Sequence, residues 1–331
     1  MKRILFITLA LLAVLSTVAS PACSEKKESI VVAWSPFEQE VLLWIAEDQN
    51  MFSRNGLAVT LRKYDTGVGS LDAVLKGEAD ITVGVTEFPM VGRAFQESEA
   101  RIIGAAAKIE QQFLVGRKDR GTEKVSDLKG KRIGTTFRTV AEFYLGRFLR
   151  LNGMGMQDII VVDLRTPAEW ENAVADGVVD AIVTAQPYVD LASKRLGSNA
   201  VIWPAQGGQY IYGLIVTSQE WITEHPDIAQ RFLKALAQAE EYALRNPSEA
   251  KAIVQKWLEV DAAFVESVWL RDQFSLSLDQ SLITAMEDQA RWMIENNLVT
   301  EKAVPNFLDY VYEDALKEMK PEAVHIIRRG Q

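Results

Sequence analysis

A single cysteine and two histidines in 331 residues leave too few soft ligands for a zinc ribbon, a Cys/His metal cage or a disulfide framework. Basic residues are not in excess. Lys and Arg number 36 against 45 Asp and Glu, and the formal charge of −9 is spread along the chain, so no stripe is set up to release counterions from a nucleic acid. Nor is the chain short of apolar residues, which rules out disorder and fibre: 48% of side chains are hydrophobic and 24% charged, enough for a sizeable core and most naturally two domains. No cofactor or metal is called for.

The first segment has the pattern of an export signal. Lys2 and Arg3 precede an apolar run from Ile4 to Val18 that ends in Ala19-Ser20-Pro21-Ala22-Cys23. That run is too short to be a preferred spanning helix. Residues 1–22 are therefore expected to be removed. Small residues at Ser20 and Ala22 suit a general signal peptidase, and Cys23 directly after them also fits the acylated cysteine of a bacterial lipoprotein, with Ser20 where Leu is usual. Residues 23–29 then form a lipidated Cys and a polar tether. Removal of residues 1–22 takes away Lys2 and Arg3 and no acid, so the charge becomes 34 minus 45, or −11. The mature protein is expected outside the cytoplasmic membrane, at the cell surface or in the periplasm, held by its lipid.

From Ile30 onward β-rich runs alternate with helical patterns, the grammar of an α/β protein. Part of it is repeated. Ala73-Val74, Gly77, Asp80 and the strand Ile81 to Val83 return one hundred positions later as Ala173-Val174, Gly177, Asp180 and Ala181 to Val183. The glycines suit a helix C′ position, and the Asp is expected to close its turn. Asn55-Gly56 before Leu57 to Leu61 is matched by Asn152-Gly153 before Ile159 to Val162. Two like-built lobes are expected, with the β-rich segments Gln112 to Arg117 and Tyr210 to Thr217 as crossings. The lobes would comprise 30–111 plus 213–331, and 112–212. After Ser218 only helices are expected: Ile228 to Ala243, a helix capped by Asn246 with Pro247 in its first turn, a stripe of Leu282, Met286, Ala290 and Met293, and a helix from Phe307 to Leu316.

In such an architecture a ligand sits where strand C-termini and helix N-termini of both lobes converge. Five strand-to-helix loops are candidates: Ser35-Pro36-Phe37-Glu38, Thr66-Gly67-Val68-Gly69-Ser70, Thr86-Glu87-Phe88-Pro89, Phe137-Arg138-Thr139 and Gln186-Pro187-Tyr188. Gly67 and Gly69 would let backbone amides approach an anion at a helix start, or they make a flexible turn with Ser70 as its cap. Arg138 could take two oxygens of a carboxylate or sulfonate, or lie solvated. Thr139 and Glu142 have capping-box spacing. Phe37, Phe88, Phe137, Tyr188 and Tyr210 could grip a flat ligand body, whereas Glu38 and Glu87 beside them would favour an amine. The sign of the ligand's charge stays open.

The run Trp44 to Val59, with Met51-Phe52-Ser53-Arg54-Asn55-Gly56-Leu57-Ala58-Val59 at its end, resembles a stretch of the solute-binding proteins of ABC importers for nitrate, sulfonate, taurine and pyrimidine precursors, of NMT1/THI5-like type. Gly77 with Asp80, Val125 through Gly134, Gln186-Pro187-Tyr188 and Trp221 with His225-Pro226-Asp227 resemble that family's landmarks in order. The resemblance spans essentially the whole mature chain. It implies a two-lobed periplasmic-binding-protein fold of type II with an all-helical C-terminal extension. It also implies a monomer that captures a small-molecule ligand, hands it to an ABC permease and does no chemistry on it. Family ligand loops match Ser35 to Phe37, Gly67 to Ser70, Thr86 with Glu87, Arg138 with Thr139, and Gln186 to Tyr188. Many sulfonate-binding members carry Gly-Ser-Thr-x-His where this chain has Arg138-Thr139-Val140-Ala141-Glu142, which leaves the ligand open. Two other readings remain: a lyase or pyrimidine-synthase-like enzyme on the same scaffold, and a sensor that signals to a membrane receptor.

Overall fold

Short parallel strands that must each be followed by a helix build the two halves of this molecule in the same way. The computed structural model describes residues 27–328; the signal at 1–22 and Cys23 lie outside the described residues. In chain order the strands are β1 (Glu28–Trp34), β2 (Leu57–Lys63), β3 (Ile81–Val85), β4 (Ala100–Ile109), β5 (Phe113–Arg117), β6 (Arg132–Thr135), β7 (Ile160–Asp163), β8 (Ala181–Thr184), β9 (Ala200–Pro204) and β10 (Ile211–Ser218). They form two five-stranded sheets, β2-β1-β3-β10-β4 and β7-β6-β8-β5-β9. In each, three parallel strands meet one antiparallel strand, β10 or β5, which pairs antiparallel with the edge strand beyond it. Glu28 and Ser29, expected in the tether, already belong to β1, where they pair with Leu57 and Ala58.

The repeated residues do repeated work, though not quite the work expected of them. Gly77 and Gly177 adopt φ of 71° and 77°, as a helix stop requires. Asp80 and Asp180 do not close their own turns. Asp80 Oδ2 accepts from the Val31 amide (2.6 Å), Asp180 Oδ2 from the Arg132 amide (3.0 Å), so each ties its turn to the adjacent strand. Asn55 and Asn152 each donate Nδ2 to the carbonyl four residues back, both at 2.8 Å, and the following glycines reverse the chain.

The segments expected to be crossings are strands inside the sheets, because their alternating apolar residues are paired on both sides. The connections between the halves are shorter, 110–112 and 205–210. Gln206, buried, ties them together. Its Oε1 accepts from the amides of Gln111 (3.0 Å) and Gln112 (3.3 Å), and its Nε2 donates to the carbonyls of Ile109 (2.7 Å) and Gln209 (2.5 Å).

Helices dominate after β10, with small departures from expectation. Asn246 donates Nδ2 to Tyr242 O (3.2 Å), finishing the preceding helix instead of capping the next. Phe307 to Leu316 is broken into a 3-10 turn, Phe307–Tyr310, and a helix, Asp314–Met319. The strand pair Leu278–Asp279 and Val324–His325 was not expected at all. The helix Gln280–Glu295 reaches the other half and receives one face of the helix Val140–Leu151. Phe143 meets Trp292 edge-on at 5.7 Å, Gly146 leaves room for the indole, and Arg147 and Arg150 pair with Asp288 and Glu295. No helix among the described residues is long and apolar enough to cross a membrane.

Gln206→Ala strands the buried amides of Gln111 and Gln112 and takes a donor from the carbonyls of Ile109 and Gln209, the latter keeping the Tyr144 hydroxyl. At about 1–3 kcal/mol per unmet buried group with partial relief by water, it is expected to lower stability by about 2–4 kcal/mol. A urea-unfolding midpoint equal to that of the parent would show that the crossings hold without it.

Candidate functional site

A cleft of about 620 Å³, counting the part continuous with solvent, opens between the two sheets. Three helices begin at it: Gly67–Leu75 after β2, Glu87–Ala94 after β3 and Val140–Leu151 after β6. Their N-cap residues, Thr66, Thr86 and Thr139, all line it. Thr66 Oγ1 accepts from the Gly69 amide and Thr139 Oγ1 from the Ala141 amide, each at 3.2 Å, while Thr86 makes no capping bond. The glycine loop is thus helix from Gly67 onward, with Thr66 and not Ser70 as its cap. Ser70 Oγ faces inward, donating to Gly67 O (3.0 Å) and accepting from Thr82 Oγ1 (2.9 Å). A Cβ on Gly67 would come 3.4 Å from the Val85 Cα, so this glycine lets the helix start press against β3.

The floor contains Gly84, at φ 82°, where a Cβ would fall inside the Glu40 carboxyl behind it. Glu40 Oε1 accepts from the Ser35 amide (3.0 Å) and hydroxyl (3.4 Å). Gln39, Gln111 and Gln112, with Thr136 and Thr184, complete the polar lining. One wall is aromatic: Phe37, from the first half, packs against Trp170 (6.3 Å) and Tyr188 (6.4 Å) of the second.

Of the residues proposed from sequence, Phe37, Gly67, Thr86 and Thr139 come together on the cleft. The others have different surroundings. Ser35 is spent on Glu40; Pro36 and Gly69 adjoin the lining without forming it. Glu38 is buried against Arg271 (3.4 Å), and Gln111, with its amide nitrogen turned toward it, donates to both oxygens. Glu87 accepts from the Tyr212 amide (3.0 Å) and Gln289 Nε2 (2.7 Å). Phe88 is core, packed on Phe143 and Trp292. Phe137 and Arg138 line a neighbouring hollow of about 960 Å³, since Arg138 sits before the cap at φ 61° with its amide on Glu142 Oε2 (2.8 Å). Gln186 donates to Asp190 (3.1 Å), Tyr188 backs the aromatic wall, and the Tyr210 hydroxyl accepts from Gln273 (3.2 Å).

Sequence reasoning missed Gln39, Gln111, Gln112, Gly84 and Trp170. Two signals could have found some of them: a glycine inside the apolar strand Ile81–Val85 marks a close approach, and two adjacent glutamines between two apolar strands need partners.

The acids around the cleft are held towards their neutral forms. Burial pushes Glu40 well above the usual carboxylate range and raises Glu87 to about 7. Burial, helped by Asp272 and opposed by Arg271, takes Glu38 to about 8. Glu142 is raised too, again chiefly by burial. Among the described residues that line the cleft none is charged, and no group of three or more His, Cys, Asp or Glu is placed to hold a metal.

The family model described as NMT1/THI5 like matches residues 39–250. A putative binding protein of Brucella abortus (strain 2308) is 25% identical over 237 residues, covering 67% of this chain and 69% of its own. A putative aliphatic sulfonates-binding protein of Bacillus subtilis (strain 168) is 21% identical over 257 residues, covering 77% and 76%. Among solved structures, the alkanesulfonate-binding protein SsuA from Xanthomonas axonopodis pv. citri, bound to MOPS, superposes with a TM-score of 0.75 at 19% identity, over 87% of this chain and 99% of its own. At that identity the likeness is one of fold, the two-lobed fold of periplasmic binding proteins.

Glu87 ties stability to pH. Its carboxyl holds a proton up to about 7 in the folded chain against 4.5 ordinarily, so its contribution is complete below pH 4.5 and is lost as pH rises through 7. Glu87→Gln is expected to remove a fall of up to about 3 kcal/mol across that window. Urea-unfolding midpoints measured from pH 4.5 to 8 check this, and a variant whose curve parallels the parent's would contradict it.

Proposed function

The chain belongs to the NMT1/THI5-like family, and from that premise we propose that it captures a small organic solute in the cleft and passes it, chemically unchanged, to an ABC-type permease. The observation that carries this reading is that three helix starts from both halves, with Thr66, Thr86 and Thr139 at their N-cap positions, meet on one uncharged cleft beside two short connections. Such a site can be closed by rotation about those connections, and closing strips water from the solute on both sides at once. The lobes are then close to 30–111 plus 213–331 and 112–212, with Ile211 and Tyr212 moved to the first because they belong to β10. Relatives whose names specify sulfonates put that class among the solutes to test.

The finer picture is an extracytoplasmic monomer tethered by a lipid on Cys23 after removal of residues 1–22. Binding without chemistry is favoured over a lyase on the same scaffold because the lining offers hydroxyls, primary amides and aromatic rings, but no general base. A sensor coupled to a membrane receptor would use the same cleft, and the partner that co-purifies from membranes separates the two.

Native protein extracted and analysed by mass spectrometry is expected to release a small organic molecule. Adding that molecule back at a hundredfold excess over its dissociation constant should stabilise the fold by about 2.7 kcal/mol. A compound that emerges altered after incubation would favour the enzyme instead, and a chain that neither retains nor responds to any solute would overturn the reading.

A further inference from the structure

Two of the glutamines in the cleft have nothing to do. Gln39 and Gln112 are 3% and 5% exposed, both line the cleft, and the buried Oε1 of each lacks a hydrogen-bond partner among the described residues. Their neighbours differ: Gln206 spends its amide on four backbone groups, and Gln111 turns its own to Glu38. An unmet buried polar atom costs about 1–3 kcal/mol. Two at the same cleft are best accounted for by a partner that arrives with the solute. A primary amide offers two N–H donors and one carbonyl acceptor, so its natural counterpart carries both kinds of group on one edge.

The surroundings argue against a full negative charge on that counterpart. Among the described residues no Lys or Arg lines the cleft, and Arg138 lines the adjoining hollow. At two of the three helix starts the first-turn acid, Glu87 or Glu142, is itself pushed towards its neutral form by burial, so the helix N-terminus there does not offset the cost of burying a negative charge. A third acid, Glu40, lies directly behind Gly84 in the floor. Phe37 and Trp170, tilted at 38° to each other, supply an apolar aromatic wall suited to a ring.

Resting on the capture function above, we propose that the cleft selects an uncharged aromatic solute with an amide or amino-carbonyl edge, read by Gln39 and Gln112, over the anion of the same shape. The discrimination comes from two amides that an anion satisfies only by half.

Isothermal titration of the full chain with isosteric pairs tests this: benzamide against benzoate, nicotinamide against nicotinate, benzenesulfonamide against benzenesulfonate. The neutral member is expected to bind at least about tenfold more tightly, a difference of about 1.4 kcal/mol. Gln39→Met and Gln112→Met, which keep the volume, should each weaken the neutral member about tenfold and leave the anion unchanged, with the unfolding midpoint reporting that each variant is folded. Equal or tighter binding of the anions, or glutamine variants that bind the amides as the parent does, overturns the selectivity while leaving capture intact. A native extract that yields an anionic solute does the same. Failure of the chain to retain any solute removes the capture function itself.

Discussion

A buried primary amide must find partners for two donors and a carbonyl, and Gln206 finds them where the chain passes between its halves. By binding the amides of Gln111 and Gln112 on one connection and the carbonyl of Gln209 on the other, it fixes the two connections side by side. The rest follows from that pairing. Two connections held together define one line about which the halves can rotate, and they set the depth of the cleft, since Gln111 and Gln112 also form part of its lining. The C-terminal segment braces the same place: Asp272 accepts from the Glu110 amide, and Gln273 pairs by backbone with Lys108 and reaches Tyr210 with its side chain.

The halves can share a cleft because their sheets share an order. Three parallel strands turn their C-terminal ends, and the helix starts that follow, towards the same gap; the chain leaves each sheet along its edge strand, β4 or β9, and enters the other along the antiparallel strand, β5 or β10. Threonine suits the caps at Thr66 and Thr139 because one side chain can satisfy a first-turn amide and still present a methyl to a guest, while Thr86, which makes no capping bond, keeps its hydroxyl free of that duty. The charged residues nearby have been moved one layer back, where burial neutralises them, leaving a polar but uncharged lining.

Much of this was legible in the sequence because it depends on local chemistry. The spacing of Gly77 and Asp80 against Gly177 and Asp180 announced two similar halves, and Asn55-Gly56 and Asn152-Gly153 marked matching helix ends. What was not legible depends on contacts far apart in the chain. Glu87 looks like a loop acid until Tyr212 and Gln289 close on it from 125 and 202 residues away. Phe88 looks like a ligand aromatic until the helix Gln280–Glu295 brings Trp292 over it. Arg138 was drawn towards the cleft by its position in a loop, but the capping arrangement of Thr139 and Glu142 turns it aside. Gln39 gave no signal, and the adjacent pair Gln111 and Gln112 signalled only a need for partners, because a glutamine's meaning lies in which partners it lacks.

Phe37 leaves its own half to sit in the core of the other, between Trp170 and Tyr188. Any widening of the gap must wet that ring, at about 1.5–3 kcal/mol for a fully buried phenylalanine. The empty molecule is therefore biased towards shutting before a guest arrives, by oil and water alone. A guest need supply only the remainder, and whatever pulls the halves apart for unloading has to overcome this grip as well as the guest's own.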